Sequence, residues 1–507
     1  MQIAPLTRGE GSYATWLRRF LILAALSVLV SAVATGATYS IAGFSDTAVA
    51  QGLSSPTDFD WTPDGRMLIL EKAGNVRIVV GGALQTTPAL NWVANVDSGS
   101  EKGLLGICID PNFGTNGYVY LYYTTKTPKN RISRFTMVGD TLDALSETVI
   151  LDNIDATNGN HNGGTLLIGP DGKLWAAPGD SGTGGAKSQD TSTGHFNGKV
   201  LRMELDGSPA AGNPFIGSLT AEERIFAYGF RNPFRFSFRP SNGALFVGDV
   251  GENTYEEVDV VTAGNNYGWP AVEGPSGACP YTSGCLGPIF YYDHTVGQSI
   301  IGGIFVTSAA YPAVIQGKYL VADYSAKWIR FLDVNASNMV MGGLQNFATA
   351  DGGAVSFKTG PDGLVYFAAL DTGRIYRINP PASKFNTLTP CRVVNTRNAN
   401  GPYGGPALTA GAGGTRSFHL GGQCNIPSSA RAVAVNVTVA QPAADGDLRI
   451  YPTGAQVPAT SVINFRAGQT RANNAVLLLS PTGDISVRYD AVSGTVQFLL
   501  DVDGYFE

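Results

Sequence analysis

Histidine occurs only four times and cysteine five times in the 507 residues, and no Cys/His spacing matches a zinc site. Charge is thin as well, at 15% of positions, with a net of −6 and no run of Lys and Arg. Nucleic acid is excluded as a partner, because phosphate binding needs a concentrated basic face. Long apolar runs are missing except at residues 20–34, which follow Arg18 and Arg19. That run falls short of the about 20 residues that a membrane span takes, and Ala32, Ala34 and Ala37 suit export cleavage. The expectation is a signal peptide over residues 1–37 and a secreted or periplasmic protein, with an uncleaved membrane anchor as the alternative. Export permits disulfides. Cys279 and Cys285 bracket the loop "CPYTSGC", Cys391 and Cys424 share the last quarter of the chain, and Cys108 in "LLGICI" reads as a buried thiol.

What the chain has in quantity is glycine and proline, 64 and 28, beside 44% apolar residues. That balance favours short strands joined by turns, so the fold class is all-β. A turn of the Pro-Asp-Gly type leading into an apolar strand recurs at Pro63, Pro111, Pro170, Pro240, Pro312 and Pro361. Proline presets φ for the first turn position, and Gly or Asn accepts the positive φ that follows. The spacing is close to that of a four-stranded blade, which predicts a six-bladed β-propeller over residues 45–382. A β-sandwich with coincidental turns is the alternative. Polar inserts open the hairpins after "KLWAAPGD" and "ALFVGD", and loop elaboration of this kind marks a working face.

His161 stands nine residues before Pro170, and Arg231 stands nine before Pro240. Two adjacent units thus carry a potential base and a fixed cation at one repeat position, with Glu101 and Lys102 beside the equivalent place in another. Imidazole titrates near pH 6.5, which suits proton removal at neutral pH. Arginine stays charged and stabilises developing negative charge on an oxygen. Neither side chain accepts a hydride, so redox chemistry here needs a cofactor. The plainer readings are a hydrogen-bonding loop histidine and an arginine that bridges units through carbonyls. His195, His294 and His419 have no partner at an equivalent repeat position and read as structural.

The segments "GLSSPTDFDWTPDGRMLILEKAGNVRIV", "EKGLLGICIDPNF", "HNGGTLLIGPDGKLWAAPGD", "AYGFRNPFRFSF" and "AGNNYGWP" follow in order along residues 50–380. Together they resemble the glucose/sorbosone dehydrogenases, soluble quinoprotein sugar dehydrogenases. The resemblance implies a propeller that binds pyrroloquinoline quinone (PQQ) with Ca2+ on one face. It implies a sugar substrate, an external electron acceptor, His161 as the base that takes the hydroxyl proton, and Arg231 beside the reduced oxygen. Cofactor-side positions fall on Glu101, Asn160, Asn232 and Lys327, and the calcium segment on Gly251 and Glu252. The chain departs from the family in "DGGAVSFKTGPDG", which has no arginine where sugar-oxidising relatives place two for the cofactor's carboxylates. Some relatives keep the propeller without activity, so a secreted module that binds a sugar or protein and catalyses nothing is the second reading.

Beyond about residue 383 the turn repeat stops. Alternation in "VAVNVTV" and "DISVRYD" predicts a smaller β-sandwich-like domain over residues 383–507. It resembles accessory domains of secreted bacterial proteins, and the role expected of it is attachment to a cell surface or glycan.

Overall fold

The computed structural model describes residues 36–382, 384–411 and 414–507. The export signal expected within residues 1–37 therefore lies almost wholly outside the described residues. Among these, no helix is long and apolar enough to cross a membrane. Strand dominates, and the α-helices of the described residues are single turns at Phe113–Asn116 and Ala186–Gln189. The chain divides into two compact units, the first ending at Pro381 and the second spanning Ala382–Glu507.

The first unit is built from six antiparallel sheets. In chain order their first strands are Pro56–Trp61 (sheet I), Leu104–Ile109 (II), Thr165–Ile168 (III), Pro233–Phe238 (IV), Ile300–Phe305 (V) and Ala354–Thr359 (VI). Each repeated proline lies between the first and second strands of its own sheet. In three of these turns one hydrogen-bond pattern recurs. Thr62, Gly169 and Gly360 donate to the carbonyls of Arg66, Lys173 and Leu364. Asp64, Asp171 and Asp362 take the N–H two residues on, the Asx geometry that makes Pro-Asp-Gly a turn with a mechanism.

Each first strand packs on the first strand of the next sheet, and that of sheet VI packs on that of sheet I, so the six sheets close into a ring. Second strands such as Met67–Glu71, Leu245–Asp249 and Val365–Ala369 are buried at every position, because neighbouring sheets cover both of their faces. The sheets approach closely enough that a Cβ on Gly106 would lie 1.9 Å from the Gly164 carbonyl oxygen. Sheet VI is completed by an N-terminal strand, Ser45–Gln51, which pairs with Arg374–Asn379. The ring is thus joined by hydrogen bonds between the two ends of the unit.

The second unit has two antiparallel sheets. They share one apolar core in which Val433, Val435 and Val437 of one sheet meet Ile450, Val487 and Tyr489 of the other. Its first strand, Phe385–Asn395, pairs with its last, Thr495–Phe506. Disulfides join Cys279 to Cys285 and Cys391 to Cys424, and Cys108 is a buried free thiol.

Candidate active site

His161 sits in the connection that leads into sheet III, where residues 158–164 turn sharply. Its own φ is +52°, a left-handed conformation that a non-glycine residue adopts only when its surroundings fix it. Gly163 permits the turn: at that position a Cβ would lie 2.0 Å from the Ala177 carbonyl oxygen. The His161 N–H donates to Glu101 Oε2 at 2.7 Å. Its Nδ1 lies 2.6 Å from Asp180 Oδ1, and the imidazole side chain is 13% exposed.

Asp180 follows the second strand of sheet III and is fully buried. Its Oδ1 also accepts from the Gly182 N–H at 2.7 Å, and its Oδ2 accepts from Trp269 Nε1 at 2.9 Å. Burial by itself would raise this carboxyl, but the bonds from His161, Trp269 and Gly182 together hold it below the ordinary carboxylate range. An ionised carboxylate can only accept, so the proton of neutral His161 resides on Nδ1 and Nε2 carries the free lone pair. The arrangement is an imidazole whose tautomer is fixed from behind.

Arg231 holds the equivalent place in sheet IV. Its N–H donates to Asp249 Oδ2 at 3.0 Å, and its Nη1 donates to the Val250 carbonyl at 2.9 Å. The guanidinium carbon lies 5.6 Å from the Trp269 ring centroid, so one tryptophan touches both the acid behind His161 and the cation. The buried Nε of Arg231 has no hydrogen-bond partner.

The other sequence-nominated residues serve this frame. Asn232 donates its N–H to Asp249 Oδ1 at 2.6 Å, and its buried side-chain oxygen accepts from the Gly163 N–H at 3.1 Å, tying the Arg231 loop to the His161 loop. Asn160 accepts from Ser100 Oγ at 2.8 Å. Lys327 is paired with Asp371 and lies 4.2 Å from the Tyr324 ring centroid. Around Gly251 and Glu252, the Glu252 N–H donates to Glu273, and its carboxylate accepts from the Asn253 side chain.

The carboxylates that gather nearby are those of Asp249, Glu257 and Asp259, with ligand atoms within 4.8 Å of one another. All three are buried, and both Asp259 oxygens lack a hydrogen-bond partner. Burial pushes Asp249 up to about 6, and burial with mutual repulsion pushes Glu257 and Asp259 well above their ordinary values. A cavity of about 10 Å³ adjoins Arg231, Asp249, Gly251 and Glu257. Three clustered buried acids, one of them with both oxygens open, are ligand chemistry suited to a hard divalent cation.

Asp180, Trp269 and this acidic trio escaped the sequence reading. The first had a readable signal. Second strands end on an acid in "MLILE", "FVGD" and "LVAD", and in "AAPGD" the acid stands three residues past the strand; in sheets I, IV and V that acid takes N–H groups of the loop before the first strand, at Ser54, Arg231 and Ser299. In sheet III the acid instead takes the imidazole.

The first unit thus combines a ring of six β-sheets with an oriented imidazole, a fixed arginine and a group of buried acids. The Glucose / Sorbosone dehydrogenase family matches residues 53–377. The chain belongs to that family. It is 31% identical over 259 residues to quinoprotein glucose dehydrogenase B of Acinetobacter calcoaceticus, covering 46% of this chain and 53% of that protein; it thus spans about half the length of that relative. It is also 31% identical over 214 residues to the mouse Hedgehog-interacting protein, covering 37% of this chain and 30% of that one. Among solved structures, the PQQ-bound aldose sugar dehydrogenase of Streptomyces coelicolor superposes with a TM-score of 0.55 at 26% identity, covering 67% of this chain and 99% of that one.

Proposed function

We propose that the first unit is a six-bladed β-propeller, residues 45–382, that oxidises an aldose sugar or related alcohol with PQQ and Ca2+, and that residues 383–507 form a β-sandwich-like accessory domain. The observation that carries this reading is the Trp269–Asp180–His161 chain, which leaves Nε2 as a positioned base. In the proposed reaction His161 takes the proton of the hydroxyl at the carbon being oxidised, and the buried Asp180 carboxylate stabilises the imidazolium that results. Arg231 offers its unpartnered Nε–H to the oxygen on which negative charge grows. Bound PQQ would supply the hydride acceptor, to be reoxidised by an external electron acceptor.

The fit of this chain to the cofactor rests on two orphaned features. Arg231 Nε is a buried donor in need of an acceptor-rich group, and Asp259 with Asp249 and Glu257 needs a cation. Lys327 and Lys102 are the cations available for cofactor carboxylates; they are now paired with Asp371 and Asp97, the second at 2.5 Å. The secreted or periplasmic location and the attachment role of the second unit belong to the same proposal.

The test is reconstitution of the purified protein with PQQ and Ca2+, then dye reduction across a panel of sugars. Turnover that is lost in His161→Ala supports the reading; no cofactor uptake and no turnover overturns it. The second reading, a secreted module that binds a sugar or protein through this end, is favoured by the ion pairing of both lysines and by the likeness to a relative named for binding. Sugar binding undiminished without PQQ, in a protein that takes up none, would decide for it.

A further inference from the structure

Between the first strands of the ring lies a second cavity, of about 180 Å³, lined by residues of five sheets that include Asp58, Arg235, Ser237, Gly303 and Lys358. Its polar groups are unevenly satisfied. Both Asp58 oxygens are taken: Oδ1 accepts from Ser356 Oγ at 2.7 Å and from the Phe59 N–H at 2.9 Å, and Oδ2 accepts from the Ile107 N–H at 3.1 Å. Lys358 Nζ lies 3.3 Å from Asp60 Oδ2 and donates to the Ile107 carbonyl at 3.0 Å. Arg235 spans the ring, with Nε on the Val355 carbonyl at 3.0 Å and Nη2 on those of Thr57 and Leu105 at 2.8 and 3.1 Å.

The Arg235 side chain nevertheless has an unmet donor. The residue is 7% exposed, yet Nη1 has no hydrogen-bond partner. The Ser237 hydroxyl and the fully buried Tyr319 hydroxyl, on adjoining sheets, lie near each other and near the Gly303 N–H but make no well-formed hydrogen bond. Tyr319 borders the cavity at Gly303, where a Cβ would lie 3.1 Å from the tyrosine Cζ. Native interiors rarely leave buried donors unpaired, so an unpaired donor beside a cavity calls for a guest that accepts. Arginine donates and never accepts, and the Asp58 carboxylate is spent. What the cavity lacks is an acceptor. Burial pushes the Asp60 carboxyl above its ordinary range, which weakens the anionic side of the balance against Arg235 and Lys358.

We propose that this cavity binds a compact monovalent anion, of halide to small-carboxylate size, held by Arg235 Nη1 and the hydroxyls of Ser237 and Tyr319. The guest would link sheets IV and V at the centre of the ring, where Arg235 already reaches sheets I, II and VI. The site is separate from His161 and stands whether or not the proposed oxidation does.

The experiment uses the full chain. Thermal melts in sodium bromide are compared with sodium gluconate at equal ionic strength, so that screening is the same in both and only the identity of the anion differs. Crystals grown in bromide are measured at the bromine absorption edge. The expected result is a saturable rise in Tm of a few degrees with bromide, and an anomalous peak within hydrogen-bonding distance of Arg235 Nη1. Ser237→Ala should raise the half-saturating bromide concentration at least fivefold while the bromide-free Tm stays nearly unchanged, and it does not depend on Arg235, whose loss would threaten the ring itself. Water alone in the cavity of bromide crystals, or a Tm rise that is equal in gluconate or unaltered in Ser237→Ala, overturns the proposal.

Discussion

At the scale of single residues, the hydrogen bond behind His161 has the most to say about chemistry. Asp180 fixes the imidazole tautomer and receives the Trp269 indole N–H, so Asp180→Asn preserves shape while it offers His161 a group that can donate as well as accept. If the oxidation proposed above holds, kcat in this variant falls by about 10²–10⁴, the range for losing an oriented general base, with a modest fall in Tm at neutral pH. Steady-state kinetics beside a thermal melt checks both halves. The same carboxyl sets a pH dependence of stability. Its native pKa lies below that of the unfolded chain, so its contribution is complete above the ordinary carboxylate pKa near 3.9 and is lost as pH falls through the lower native value. Melting curves between about pH 2 and 5 should therefore be shallower in Asp180→Asn than in the parent protein. His161 and Arg231 were legible from sequence because they hold one register position relative to a turn motif. Trp269 was not, because its partner lies 89 positions away and nothing local marks an indole as a donor to a buried acid.

At the scale of elements, the second strand and its terminal acid form a recurring device. In sheets I, IV and V this acid ties down the backbone of the loop that enters the first strand of its own sheet, and in sheet III the imidazole takes the place of that backbone N–H. The repeated turns were readable because Pro, Asp and Gly each have a local mechanism. The acidic trio of sheet IV was not, because Asp249 and Glu257 belong to different strands and meet only through register. Ca2+ at a hundredfold its dissociation constant should stabilise the protein by about 3 kcal/mol. Calorimetry with Ca2+ and with chelator should show this increment in the parent and its loss in Asp259→Asn, which replaces a carboxyl whose oxygens no hydrogen bond satisfies. Lys199, in the third strand of sheet III, offers a contrasting case. Its ammonium is fully buried and donates to the carbonyls of Lys187, Ser188 and Asn197, and burial pulls its pKa down to about 7. Between about pH 7 and the unfolded value near 10.5, the unfolded chain binds a proton that the folded one does not, so stability rises with pH across that window. Lys199→Met should flatten this rise in chemical denaturation measured from pH 7 to 10.

At the scale of the whole molecule, each unit closes on itself. The second pairs its first strand with its last, and the first completes sheet VI with Ser45–Gln51. A chain that ends at Pro381 is expected to keep the cooperative melt of the first unit and any sugar oxidation it carries, as differential scanning calorimetry and dye reduction would report. Removal of residues 36–51 should do the reverse. It exposes the edge of Arg374–Asn379 and takes Phe44 and Ala50 from the core, so Tm should drop by 10 °C or more, or soluble protein should fail to accumulate. The change of pattern near residue 383 was visible as a loss of turn motifs. The closing strand was not, because its pairing partner lies about 330 residues away.

That distance has a consequence for how the chain comes into being. While residues 52–373 are being synthesised, Ser45–Gln51 has no partner to pair with. At about 5–20 residues per second this interval is on the order of 20–60 s. Four sheets can fold locally as they emerge and sheet V lacks only the two-residue edge strand Thr38–Tyr39, but sheet VI must wait for the beginning of the unit to find its end, a slow and non-local search. A waiting, unpaired strand is the natural point of attachment for a holding chaperone, and the natural place for two copies to exchange ends.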